Sequence, residues 1–217
     1  MMFWNLTRMA PYEPSSEGII VRDQTGLDKY LELLQVEAQQ RNEKQPVAVP
    51  TGLILYNVSF PDSNRVSLSG YLWQKITSDM EIKPGVLFPE ASDSSFKEIF
   101  HKTDNGTETI GWNVSATFLQ KHRYSFFPFD KVHIDIIMAS ADFENNVILA
   151  PDFSGYKSYD VDPLPGITNK INIPGYTLDR SFFSFSVIPP YDEVGLDALR
   201  KVTEKIRLHY NVCLLYT

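Results

Sequence analysis

Tyr124-Ser-Phe-Phe-Pro-Phe-Asp130, followed at once by Lys131-Val-His-Ile-Asp-Ile-Ile-Met138, is the stretch on which the reading of this chain turns. Its first half sets three phenylalanines and a proline against one acid. Pro128 fixes its own φ, removes a backbone donor and biases Phe127 towards an extended conformation. The second half alternates, with Val132, Ile134, Ile136 and Met138 on one face. A stiff turn therefore feeds a half-buried strand. Two roles stay open for the turn: its aromatics plug the end of a β-sandwich, or they touch a neighbouring module. Asp130 accepts backbone donors there or pairs with Arg123 or Lys131, and either would lower its pKa.

The same period of two continues on both sides. Upstream, Leu53–Phe60 reads as a strand. Val66, Leu68, Gly70 and Leu72 then alternate with Ser67, Ser69, Tyr71 and Trp73, and Trp112, Val114, Ala116 and Phe118 alternate with Asn113, Ser115 and Thr117. Between them, residues 91–107 read as a polar region with one helical turn near Phe96–Phe100, and Asp104-Asn-Gly106 marks a hairpin-type turn. Downstream come a short apolar strand at Val147–Ala150, a loop over 151–175 and a strand over Tyr176–Val187. A long excursion through Leu199 follows, and then Ile206, Leu208, Tyr210, Val212 and Leu214 alternate with Arg207, His209, Asn211 and Cys213. Many short strands at regular spacing predict an all-β sandwich of immunoglobulin-like type.

Only one segment is helical. After an irregular lead-in over 1–24, Thr25 is placed to cap a helix over about 26–42, with Leu27, Tyr30, Leu31 and Leu34 at helical spacing. The chain thus divides into an N-terminal extension, 1–46, and a sandwich, 47–217.

Composition narrows the function. A net charge of −7 and a pI near 5.1 argue against nucleic acid, whose phosphates demand clustered Lys and Arg. Cys213 is the single cysteine, so no internal disulfide forms and no zinc-ribbon spacing exists. The first residues lack the basic and apolar regions of a signal peptide, no apolar run approaches the roughly 20 residues of a membrane helix, and the chain reads as soluble.

Catalytic and metal patterns are not found. His101, His122, His133 and His209 stand in no ligand spacing with one another or with Cys213. There is no Gly-x-Ser-x-Gly elbow and no phosphate-cradling glycine loop. Ser-His-Asp sets can be assembled from any chain this long by distant choice, so none is read here. Asp152, Asp160 and Asp162 share a loop without the alternation of a calcium site. The expectation is no enzyme, no metal and no cofactor.

The order of the pieces resembles the extracellular ligand-binding domain of pentameric ligand-gated ion channels, the Cys-loop receptors, and above all their bacterial members. The resemblance runs from about residue 50 to the C-terminus. Tyr124–Asp130 matches the Phe-Pro-Phe-Asp core of that family's signature loop. Gln120 and Ile134 stand where animal receptors have their two bridging cysteines. Leu72-Trp-Gln-Lys75, Phe88-Pro-Glu90 and Ser140–Leu149 fall at the family's binding segments, as does the order Pro174–Phe185, Pro189–Lys201, Glu204–Leu214. The helix is an addition to the family pattern. The chain stops near Tyr216, about where the family's first membrane helix begins.

What this resemblance implies is an extracytoplasmic, periplasmic-face sensor. It would belong to a membrane-attached homo-oligomer whose membrane domain is absent from this chain, and it would bind a small amine or organic acid between subunits. Carried over position by position, the principal face is Phe88, Glu90, Asp142, Phe143, Phe183, Phe185 and Tyr191, and the complementary face Tyr71, Trp73 and Trp112. Tyr124, Phe127, Pro128, Phe129 and Asp130 form the coupling turn, with one of Phe127 and Phe129 packed inside and the other exposed. For Trp112 and Phe183 a plain core role stands beside the binding role. Two other readings remain: a sensor for a kinase- or cyclase-type protein, and a secreted adhesive or carbohydrate-binding sandwich.

Overall fold

The computed structural model describes residues 18–120, 131–156, 165–167, 171, 173–187 and 206–216. The alternating stretches become strands because each can bury one face only by meeting a second sheet. Among the described residues the order is β1 (Ile19–Val21), α1 (Gln24–Gln40), β2 (Val47–Asp62), β3 (Arg65–Thr77), β4 (Val86–Leu87), β5 (Ala91–Asp104) and β6 (Thr107–Leu119). Then come β7 (Lys131–Ser140), β8 (Val147–Pro151), α2 (Phe153–Tyr156), β9 (Tyr176–Val187) and β10 (Ile206–Tyr216). They form two five-stranded sheets, β1-β9-β10-β7-β4 and β5-β6-β3-β2-β8. All pairs are antiparallel except β2 with β8. The protein is a β-sandwich.

The core lies between the inward faces. Val66, Leu68 and Leu72 of β3, Val114 and Phe118 of β6, Ile134, Ile136 and Met138 of β7, and Leu208, Tyr210 and Val212 of β10 are all buried in one cluster. Two tyrosine hydroxyls reach through it to the backbone. Tyr156 bridges the N–H and C=O of Leu53, and Tyr210 donates to the Pro165 carbonyl at 2.7 Å. Buried hydroxyls without such partners would each cost about 1–3 kcal/mol.

Three local expectations are corrected. The lead-in contains β1, whose Ile19, Ile20 and Val21 pair with Phe185, Ser184 and Phe183. The helix is capped by Asp23, not Thr25: the Asp23 carboxylate accepts from the Gly26 N–H at 2.7 Å, and Thr25 falls inside the first turn. The largest difference is residues 91–104, which form a long edge strand rather than a polar loop with a helical turn. Almost every side chain of β5 is exposed. An edge strand on which only Ala91 and Phe96 are half-buried has little hydrophobic alternation to read, and its pairing with β6 is carried mainly by the backbone. The turn that joins them does follow its residues: Asn105 and Gly106 adopt φ of 48° and 77°, the left-handed conformations a two-residue hairpin loop requires.

The helix packs on the sandwich. Leu27 and Tyr30 are buried in the shared core, and Tyr30 stacks on Phe185 with centroids 4.5 Å apart. Burial first, with Glu37 adding to it, pushes the Tyr30 hydroxyl up to about 12. Among the described residues no helix is long and apolar enough to cross a membrane.

Candidate functional site

The outward face of β5-β6-β3-β2-β8 carries aromatic side chains in two adjacent rows. In the first, Tyr71 of β3 lies opposite Ile54 and Asn113. Tyr56 follows Ile54 on the same face at the bulge between Leu55 and Asn57, and its ring sits 5.1 Å from that of Tyr71. The Tyr56 hydroxyl donates to Asn113 Oδ1 at 3.0 Å. Tyr71 remains 46% exposed and Tyr56 37%. That is a hydrophobic patch the single chain leaves open.

In the second row Gly52, Trp73, Gly111 and Phe100 follow one another across four strands. Trp73 lies down on Gly52, where an added Cβ would meet the indole at 2.0 Å, and Phe100 lies on Gly111 with the same 2.0 Å separation. Glycine is required at both places for the rings to lie flat. The Trp73 indole N–H donates to Asp152 at 2.8 Å, and Lys75 reaches the same carboxylate at 2.7 Å. Ser154 Oγ and the Gly155 N–H complete the set at 2.6 and 3.1 Å. Burial opposes the charge on Asp152, but the hydrogen bonds from Lys75, Ser154 and Trp73 outweigh it and hold the carboxyl below its usual range.

The remaining expected site residues do not join this face. Trp112 pairs with Leu72, which places it on the inward side of the sheet, half-buried against the core; it shares no surface with Tyr71 and Trp73. Phe183 and Phe185 are 0% and 1% exposed. The first packs among Tyr210, Tyr156 and Phe153, and the second against Tyr30. Phe88 is likewise buried, against Phe96 and Phe118. These four side chains are core, because each sits at an inward position of its strand or at a buried strand end. Asp142 is buried as well, and its carboxylate is used up: it accepts from the N–H groups of Lys83, Glu144 and Asn145 and from the Asn145 amide. Burial works against its charge, yet those donors prevail and hold it far below the usual carboxylate range. It pins the loop before β4 to the turn after β7. Glu90 and Phe143 are exposed. Tyr191 and the coupling residues Tyr124, Phe127, Pro128, Phe129 and Asp130 lie outside the described residues.

Of the residues near that stretch, Gln120 is described: it donates through Nε2 to the Asp135 carbonyl at 2.6 Å, next to the buried Ile134.

The outward face of the other sheet holds residues that sequence reasoning did not single out. Ser186 of β9, His209 of β10 and Asp135 of β7 form one hydrogen-bonded diagonal, and Ser184, Asn211 and His133 form a second beside it. Ser184, Ser186, His209 and Asn211 are all buried. Burial, with Arg180 and His209 adding to it, lowers the His133 pKa, against the opposing pull of Asp135 and Asn211. The signal in the sequence was Ser and His alternating with Phe, Leu and Tyr. It marks these residues as outward-facing and gives no sign that they meet.

Compared with known proteins, no family model matches the chain and no curated protein matches it.

Proposed function

We propose that this chain is an extracytoplasmic sensor domain of the Cys-loop receptor type. In this reading it works as a homo-oligomer attached to the membrane through a part of the protein outside these residues. It binds a small amine or organic acid where the aromatic face of one copy meets the next. The observation that carries the reading is the exposed pair of Tyr56 on β2 and Tyr71 on β3, beside the Leu72–Lys75 segment that resembles the family's aromatic strand. Aromatic faces attract cationic ligands, and a pocket between copies would cover surface that one copy leaves in water.

The test joins assembly to binding. Light scattering on the membrane-attached protein is expected to give an oligomer. A thermal-shift screen of amines, amino acids and organic acids is expected to give a stabilising hit that disappears in Tyr71→Ala. A monomeric parent protein, or a hit that Tyr71→Ala leaves unchanged, sinks the intersubunit site.

A second reading has its own support. Phe100 lies on Gly111 and is 45% exposed, and a flat ring on a sheet face suits the stacking of sugar rings. Oligosaccharides in the same screen test it: a shift that Phe100→Ala abolishes and Tyr71→Ala spares would favour a carbohydrate-binding sandwich.

A further inference from the structure

Three strands bring Ser186, His209 and Asp135 into a line that the sensor reading does not use. Ser186 Oγ lies 2.6 Å from His209 Nε2, and His209 Nδ1 lies 2.9 Å from each carboxylate oxygen of Asp135. A carboxylate accepting at Nδ1 keeps the ring proton on that nitrogen and leaves Nε2 to accept from the Ser186 hydroxyl. A hydroxyl on a base that is itself oriented by an acid is the arrangement that creates an oxygen nucleophile.

The neighbouring diagonal serves as an internal control. Ser184 Oγ accepts from Asn211 Nδ2 at 3.0 Å, and His133 Nε2 lies 2.9 Å from Asn211 Oδ1. An amide takes up no proton, so Ser184 has the same setting without a base. Arg207 stands directly opposite Ser186 in the β9–β10 ladder, so the two project from one face. That puts a cationic residue on the face where negative charge develops when a carbonyl is attacked by Ser186. Ser186 is the next-to-last residue of β9 and keeps 8% of its surface, which restricts the partner to a small electrophile.

We propose that Ser186 is an activated nucleophile that takes an acyl group from small activated esters, with His209 as its base and Asp135 as the positioning residue of that base. The bond between Ser186 Oγ and the carbonyl carbon forms as the hydroxyl proton passes to His209 Nε2. The bond from that carbon to the ester's leaving oxygen then breaks, and the leaving alkoxide carries the proton away. This activity is independent of the sensor reading.

The test uses the full chain and diisopropyl fluorophosphate, a small probe whose phosphorus–oxygen bond to serine forms as fluoride leaves. Intact mass and peptide mapping are expected to show one adduct, on Ser186 and not on Ser184. His209→Gln is expected to slow labelling by about 100-fold or more. The wild-type rate should rise with pH, the His209→Gln rate should be flat, and Asp135→Asn should change the wild-type profile as well as slow it. Circular dichroism establishes that each variant folds; if His209→Gln does not, the wild-type profile decides alone. A folded wild-type chain that takes no adduct, an adduct at any other residue, a flat wild-type profile, or a Ser186 adduct formed equally fast in His209→Gln overturns the proposal.

Discussion

The outward faces of the two sheets invert the usual expectation in opposite ways. On β5-β6-β3-β2-β8 the outward positions include Tyr71 and Trp73 of β3 and Tyr56 of β2, and Tyr71 and Tyr56 stay in water. On β1-β9-β10-β7-β4 the outward positions include Ser184, Ser186, His209, Asn211, His133 and Asp135, and the first four are buried. Alternation along a strand therefore tells which side a residue faces but not whether that side meets solvent. The physical consequences differ. Buried polar groups are costly unless each finds a partner, so the second face must be wired completely. The aromatic face needs no wiring and keeps free surface for something else.

The sharpest way to break this contrast is at the buried carboxylate around which the aromatic face is also wired. Asp152 is buried and receives Lys75, Ser154 and the Trp73 indole. Asp152→Ala leaves the Lys75 cation and the indole N–H without their acceptor, and a loss of about 3 kcal/mol is expected, measured by urea denaturation. A loss below about 1 kcal/mol would mean that water replaces the carboxylate readily, and that this face is open throughout.

On the polar face the corresponding cut is Asn211→Ala. Asn211 is buried and links Ser184 to His133, so its removal takes one hydrogen-bond partner from each. The expected cost is about 2 kcal/mol in the same measurement. Ser184→Ala made in the Asn211→Ala background should then cost less than it does alone, because the partners are already parted.

How much of this was legible follows from which force places each residue. The inward stripes of β3, β6, β7 and β10 were readable because burial imposes a period of two. The helix was readable from Leu27, Tyr30, Leu31 and Leu34, and only its cap was misassigned, between two residues that can both serve as caps. Strand β5 was not readable, since over Ala91–Asp104 only Ala91 and Phe96 are half-buried, which leaves little pattern. Of the site, Tyr71 and Trp73 were placed on one outward face by alternation alone. Trp112 was assigned to the binding face by the resemblance alone, although its alternation with Val114, Ala116 and Phe118 already put it on the inward side where it pairs with Leu72. The Ser186–His209–Asp135 line could not have been found: its members sit on three strands and meet through register, which no local spacing encodes.

A smaller effect separates the two faces by pH. Burial lowers the pKa of His133, so the folded chain resists the proton that the unfolded chain accepts. Between the lowered folded value and the ordinary value near 6.5, the unfolded state binds more protons, and stability falls as pH drops through that window. The expected slope is at most about 1.4 kcal/mol per pH unit from this one group. His133→Gln should flatten the part of the stability profile just below about pH 6.5. A profile that keeps its slope there in the variant would assign the loss to other groups.

The smallest effect on stability is expected at Tyr71. Tyr71 is 46% exposed and touches Tyr56 across one ring contact. Tyr71→Ala should change the unfolding free energy by no more than about 0.5 kcal/mol, the range of surface substitutions away from buried networks. If the aromatic face is covered by a second copy, the same variant must weaken assembly, because truncating an aromatic at an interface centre typically costs about 2 kcal/mol or more. Sedimentation over a dilution series reads that term separately from folding. A variant that unfolds like the wild type and dissociates at higher concentration places Tyr71 in a contact between copies. A variant that loses stability and keeps its assembly makes the tyrosine pair part of the fold, and the two outward faces would then both be structural.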